Sequence, residues 1–227
     1  MKKIKLIACD IDGVLLEDTF SPILRGLTVK LGQDYTREVE RNMFSQTREE
    51  AMKYVMVKLG IGNPEEAKKI YNMYFEERDN YLKEHSSILI NGLEAFLERL
   101  SNLNVVLICY GGLEEEQIVD EFIPYMKYFD RYVCTNNFRP GIKEITKDIY
   151  NLEYSQVLFI DDVNKVAETA KSLNTPFIGV PSKESWSYQK QDMIKTGVKY
   201  LVESINEIDA SMLEKIDFDA EHGKVWS

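Results

Sequence analysis

Six stretches of the chain are mostly apolar, without regular polar alternation, over the length of a single β-strand. They are Ile4–Cys9, Asn104–Cys109, Arg131–Cys134, Gln156–Ile160, Pro176–Val180 and Lys199–Val202. A strand with one face in water alternates apolar and polar side chains. A strand buried on both faces does not, and such strands belong to parallel sheets covered by helices on each side. Helical spacing fills the gaps between the later runs. Leu93, Phe96, Leu97 and Leu100 repeat at that spacing, as do Ile118, Val119 and Phe122. Ile142, Ile145, Ile149 and Leu152 form a third such set, and Val166, Ala167, Ala170 and Leu173 a fourth. Strands alternating with helices predict an α/β fold with a doubly wound, mostly parallel sheet.

The segment from about 17 to 87 breaks this rhythm. It has almost no strand-like run and reads as several helices. Thr47-Arg48-Glu49-Glu50 has the form of a capping box before Ala51–Leu59, and Asn63-Pro64-Glu65-Glu66 has the form of another, with Pro64 at the first helical position. A separate N-terminal helical domain would give the same pattern, but the core-like strand Ile4–Cys9 precedes it. We therefore expect a core of residues 1–16 and 88–208, an inserted helical cap of 17–87, and a C-terminal extension of 209–227 with one short helix. A chain of 227 residues holds about one and a half domains of ordinary size, as this division requires.

Charge narrows the partners. Asp and Glu outnumber Lys and Arg by 38 to 28, a formal net charge of −10. Such a surface repels polyanions, so neither nucleic acid nor an anionic membrane is an expected partner. No apolar stretch approaches the roughly 18 residues of a membrane span. The cysteines are Cys9, Cys109 and Cys134, an odd number widely spaced. They read as reduced thiols in a cytoplasmic protein. His85 and His222 form no metal-ligand pattern.

Two of the six strands end in carboxylates. The first runs into Asp10-Ile11-Asp12-Gly13-Val14, the fourth into Asp161-Asp162. Ligands of open α/β sheets bind outside the carboxyl ends of the strands. One carboxylate there can attack while its neighbour two residues on exchanges a proton with the leaving group. Gly13 permits a sharp turn. Each acidic end alone is also what a polar turn after a strand looks like; their joint occurrence carries the weight. Like charges brought close repel, so the pair of strand ends calls for a cation, and Mg²⁺ takes hard oxygen ligands of this kind.

These residues make the chain resemble the haloacid dehalogenase superfamily of phosphohydrolases. The stretch from Lys5 to Leu15 matches that family's first motif, with Asp10, Asp12 and Gly13 in place. The helical insertion resembles its C1-type cap, and Asp161-Asp162 matches the paired-aspartate form of its fourth motif. The similarity runs over roughly residues 4 to 208. It implies a Rossmann-like core and Mg²⁺-dependent hydrolysis of a small phosphorylated metabolite through an aspartyl-phosphate. Asp10 would be the nucleophile. Asp12 would protonate the leaving alcohol and then activate water. Asp10, Asp12 through its backbone carbonyl, Asp162 and Asp161 are the implied metal ligands. An aspartate at position 12 separates phosphatases and phosphomutases from the dehalogenases proper.

Three departures leave choices open. The second motif carries Ser or Thr, and here Cys109 stands at the expected place, followed by Tyr110 and Gly111. The Tyr110 hydroxyl, or the backbone N–H groups of Tyr110 and Gly111, would then hold the phosphoryl group. The third motif supplies a cation, for which Arg139 and Lys143 both qualify. The carboxylate that often follows the fourth motif is missing, and Asn164 lies there instead. A phosphomutase, or a binding or regulatory protein on the same fold, are the alternative readings. In the cap, Arg41, Asn42, Gln46, Arg48 and Lys53 are expected at its polar faces, whereas Tyr54, Tyr71, Met73, Tyr74 and Phe75 are expected to form the cap's own core.

Overall fold

The computed structural model describes residues 1–226. All six expected strands form. They are β1 (Leu6–Asp10), β2 (Val106–Gly111), β3 (Tyr132–Cys134), β4 (Val157–Asp161), β5 (Phe177–Gly179) and β6 (Tyr200–Leu201). They build one sheet in the order β3-β2-β1-β4-β5-β6, parallel throughout. The chain winds outward from β1 in one direction and from β4 in the other. The reversal lies between β1 and β4, and there the loops leaving the two strands diverge and open a crevice.

Alternation along the strands sends successive side chains to opposite faces. On one face Ile7, Cys9, Cys109 and Ile160 pack with Phe96, Leu97 and Leu100 of helix α5 (Leu93–Ser101). On the other, Leu6, Ala8, Ile108, Tyr110 and Phe159 pack with Val166, Ala167 and Ala170 of α6 (Asn164–Ser172). Every residue of β1 is buried, which is why its sequence shows no polar alternation. Each fully buried large aliphatic side chain contributes about 1.5–3 kcal/mol relative to exposure. The sheet centre is therefore the most stable part of the molecule and a rigid base for the strand ends. A further helix, α7 (Gln189–Thr196), lies between β5 and β6.

Helix α8 (Ala210–Glu221) follows β6 and packs into the first of these clusters through Leu213, Ile216 and Ala220. Its Asp217 carboxylate accepts the backbone N–H groups of Lys2, Lys3 and Ile4 at 2.7, 2.9 and 2.8 Å.

Four helices separate β1 from α5: α1 (Phe20–Lys30), α2 (Arg37–Met43), α3 (Arg48–Leu59) and α4 (Pro64–Glu84). The reciprocal capping box of Thr47 and Glu50 starts α3, and Gly60 ends it in a left-handed conformation. At α4 the Asn63 side chain accepts the Glu65 N–H and Pro64 holds the first position, but the expected reciprocal bond from Glu66 does not form. No helix among the described residues is long and apolar enough to cross a membrane.

Two helical expectations change form. The stretch around Ile118 and Phe122 winds as 3-10 turns, Glu115–Gln117 and Asp120–Tyr128; in the second, Pro124 has no N–H to donate and its ring crowds the preceding turn of an α-helix. The Ile145 stretch is a widened π-type turn, Glu144–Ile149.

The helical layer is bolted to the sheet domain on one side. Glu40 of α2 is fully buried and accepts hydrogen bonds from the Tyr35 hydroxyl (2.9 Å), the Tyr188 N–H (3.1 Å) and the Gln189 side chain (2.7 Å). Arg37 pairs with Asp192, and Arg41 with Glu168 at 3.0 Å. Arg48 reaches Glu114 at 2.8 Å on the opposite side of the crevice.

Candidate active site

The β1 register places Asp10 beside Tyr110 of β2, and β4 ends next to it in Asp161 and Asp162. Asp10, Asp161 and Asp162 are only 7%, 2% and 5% exposed, so all three carboxylates are withdrawn from water at the switch point of the sheet. Asp12, Asp18 and these three line a single cavity together with Arg139.

The turn after β1 is built around glycine for two reasons. Gly13 has φ +92°, a conformation that side chains disfavour. A Cβ at that position would also lie 2.5 Å from Oδ2 of Asp162. Gly13 thus lets the two acidic strand ends approach. The turn closes on itself through Leu15 N–H and Leu16 N–H bonds to the Ile11 carbonyl at 3.1 and 2.8 Å. Beyond it, Thr19 fixes Asp12, donating its N–H to Oδ1 at 3.1 Å and its hydroxyl to Oδ2 at 3.0 Å.

Burial governs the protonation of the cluster. It drives Asp10 well above the ordinary carboxylate range; the Asp161 charge adds to this and Arg139 opposes it. Asp162 is likewise raised, first by burial and then by Asp161, Asp18, Asp10 and Asp12. Asp12 is pushed up to about 7 by burial and by Asp18. Asp161 is pushed up to about 6 by burial, against the hydrogen bond from Tyr110. The carboxylates outnumber the guanidinium groups near them, Arg139 beside Asp10 and Asp161 and Arg78 beside Asp12, and burial keeps them raised.

The second-motif residues divide between the faces of the sheet. Cys109 sits opposite Cys9 and is wholly buried among apolar side chains, where burial pushes its thiol up. It does not line the cavity. Tyr110 occupies the other face, and its hydroxyl donates to Asp161. The second oxygen of Asp161 accepts the Val163 N–H at 2.8 Å, so both oxygens are engaged within the protein. Gly111 leaves room beside Asp10: a Cβ there would lie 3.6 Å from its Oδ1 and 2.6 Å from Ile11. At Gly112 a Cβ would overlap the Arg139 guanidinium, which rests on that backbone.

Of the two candidate cations, Arg139 lines the cavity with its Nε buried and unpartnered, whereas Lys143 is exposed and outside the lining. Asn164 is committed elsewhere: its side chain donates to Glu168 and accepts from Thr196. In the cap, Gln46 and Arg48 reach the cavity wall, while Asn42 caps the Glu38 carbonyl and Lys53 pairs with exposed Glu49. Of the aromatics expected to form the cap's own core, Tyr54 packs against the cap cluster and Tyr71, Tyr74 and Phe75 pack edge to face on one another, but none is sealed inside it. All four line the cavity, because the helices splay around it and bury only a small cluster of Leu24, Val39 and Phe44. Asp18, Thr19, Ser45 and Asn136 are site residues that no motif signalled.

Among the described residues no three His, Cys, Asp or Glu side chains converge as a ready-made metal cage. Mg²⁺ does not require one, since it binds through one or two carboxylates and keeps several waters. The buried and mutually repelling oxygens of Asp10 and Asp162 fit that habit.

No protein-family model matches the sequence. No curated protein matches it significantly. Solved structures do match. A phosphonoacetaldehyde hydrolase-like protein from Oleispira antarctica aligns over 97% of this chain and 95% of its own, with a TM-score of 0.71 and 14% identity. A haloacid dehalogenase-like hydrolase from Streptococcus pneumoniae aligns over 93% and 100%, with a TM-score of 0.65 and 18% identity. A β-phosphoglucomutase assigned as putative in Thermotoga maritima aligns over 93% and 99%, with a TM-score of 0.58 and 20% identity. The chain shares the fold of these structures, among them a haloacid dehalogenase-like hydrolase, the superfamily that its strand-end aspartates resemble.

Proposed function

We propose that the protein is a Mg²⁺-dependent phosphatase that hydrolyses the phosphate monoester of a small molecule. The observation that carries this reading is the placement of Asp10 and Asp12 with Asp162 and Arg139 around one buried cavity at the switch point of a parallel sheet. A carboxylate of Asp10 attacks phosphorus, and the bond from phosphorus to the ester oxygen breaks. Asp12 gives its proton to the departing alcohol. Water then attacks the aspartyl-phosphate, Asp12 takes the proton back, and inorganic phosphate leaves with the Asp10 carboxylate restored. Thr19 holds Asp12 for both transfers. Arg139, resting against Gly112, binds the phosphoryl oxygens with its planar fork. Tyr110 and Gly111 stay within the sheet ladder, and the backbone of Gly112, which lines the cavity, takes the part that a second-motif hydroxyl would play. Mg²⁺ would be held by Asp10, Asp162 and the Asp12 carbonyl, and when bound there it neutralises phosphate charge facing the carboxylates. The helical insertion over the crevice supports a small substrate rather than a phosphoprotein, because a cap that closes over the site excludes bulk water and bulky partners.

The test is phosphate release from a broad panel of monoesters, with and without Mg²⁺, for wild type and Asp10→Asn. Hydrolysis that requires both Mg²⁺ and Asp10, with a phosphate-mass adduct on the Asp10 peptide after acid quench, is expected. No release from any ester would refute the reading. A mutase would instead return the phosphoryl group to its substrate and release little phosphate.

A further inference from the structure

The cavity over the carboxylates encloses about 220 Å³ and has two unlike halves. Its floor is the acidic cluster with Arg139. Its walls are apolar and come from all parts of the cap: Leu24, Leu27, Phe44, Val55, Ile70 and Phe75. Apart from Arg139, the lining cations among the described residues are Arg48 and Lys58, and both are spoken for. Arg48 pairs with Glu114 at 2.8 Å and Lys58 with Glu38 at 3.4 Å. The wall also holds two neutral hydroxyls, of Ser45 and Tyr54, that are buried without any partner. Ser45 is held at φ +51°, an uncommon conformation for a residue other than glycine, Asn or Asp.

Resting on the phosphatase reading of the same site, we propose that the leaving group is an uncharged, largely apolar alcohol with an alkyl or aryl body. A second phosphate or a carboxylate on the substrate would be stripped of water against these walls, whose own cations Arg48 and Lys58 are already paired. A sugar ring would lose the hydration of several hydroxyls, and the walls that replace it are mainly apolar, with polar side chains such as Gln33, Ser45, Gln46, Tyr54 and Asn136 set among them. An alkyl chain gains at every carbon, by about fourfold in affinity per methylene buried. The two orphan hydroxyls suit a single neutral polar atom on that body, since buried polar groups are ordinarily partnered.

The experiment compares kcat/KM for methyl, butyl and hexyl phosphate with that for glucose 6-phosphate and phosphoglycolate. Hexyl phosphate is expected to exceed methyl phosphate by at least about 100-fold and to exceed both polar esters. Equal rates along the alkyl series, or a preference for either polar ester, would overturn the proposal while leaving the phosphatase reading intact. If no ester is hydrolysed the phosphatase reading fails, and the cavity is then judged by binding alone. Saturable binding of hexan-1-ol to the wild-type protein, seen as a rise in its thermal midpoint, supports the apolar pocket; no binding overturns it. Ala51 lies in the wall, and Ala51→Phe is expected to pull the hexyl-to-methyl ratio towards one. Where that variant does not fold, the alkyl series on wild type decides.

Discussion

Replacing Gly13 by alanine tests whether the two acidic strand ends are as closely apposed as the geometry requires. The substitution has two separable costs. The backbone at φ +92° disfavours any side chain, and a left-handed conformation costs an L-residue about 1–2 kcal/mol. The new Cβ would also sit 2.5 Å from Oδ2 and 2.6 Å from Cγ of Asp162, and forcing an atom into such a space costs about 1–3 kcal/mol. Gly60 provides the control. It has φ +64°, yet a Cβ there meets nothing within 4 Å. Gly60→Ala should therefore lose about 1–2 kcal/mol and Gly13→Ala about 2–5 kcal/mol, read from urea denaturation at fixed pH. The displaced Asp162 should also lower phosphate release by about 100-fold, the usual consequence of moving a reacting or charge-balancing group by an ångström. The reasoning is refuted if Gly13→Ala loses no more stability than Gly60→Ala, because Asp162 would then not press on the turn.

Other perturbations reach different parts of the molecule. Tyr110→Phe removes the donor to a fully enclosed Asp161 and should destabilise the protein by about 1–3 kcal/mol, measured by chemical denaturation; a neutral result would mean that Asp161 is satisfied without it. Burial raises Glu40 above the ordinary carboxylate range, so the folded state favours its protonated form. Its contribution is greatest below the unfolded value of about 4.3 and falls as pH rises through the folded value. The denaturation midpoint of wild type relative to Glu40→Gln should accordingly decline from about pH 4.5 upward, and a pH-independent difference would contradict this. Added Mg²⁺ should raise the thermal midpoint of wild type and should do so far less for Asp162→Asn; equal shifts would remove Asp162 from the cation site.

The strands were legible because burial on both faces leaves an uninterrupted apolar run, as in Leu158-Phe159-Ile160. The strand-end carboxylates were legible for the same reason, since a polar pair stands out against such a run. Which neighbour faces which side was not. Cys109 and Tyr110 differ by one residue, and one residue in a strand reverses the face. Only the pairing of Asp10 with Tyr110 decides the matter. Arg139 and Lys143 are four residues apart, and the path of the turn between β3 and Ile145 selects the arginine. The cap aromatics were misread for a different reason. Apolar residues at helical spacing mark a face turned away from water, but the pattern is the same whether that face meets another helix or an enclosed void. Tyr71, Tyr74 and Phe75 carry the pattern of a core and line a cavity. Thr19 and Ser45 gave no signal, being single polar residues placed by the fold.

The contact between Asp217 and the backbone of residues 2–4 has a consequence for the order of events during synthesis. It spans 213 to 215 positions of the chain. The strand that carries Asp10 is made first, yet its leading N–H groups are satisfied only when α8 arrives. At about 5–20 residues per second, that interval is on the order of 10–40 s. During it the central strand of the sheet has neither its last tether nor, at first, its neighbours β2 and β4. The segment that leads into the Asp10 strand is thus pinned only after position 217 has been made.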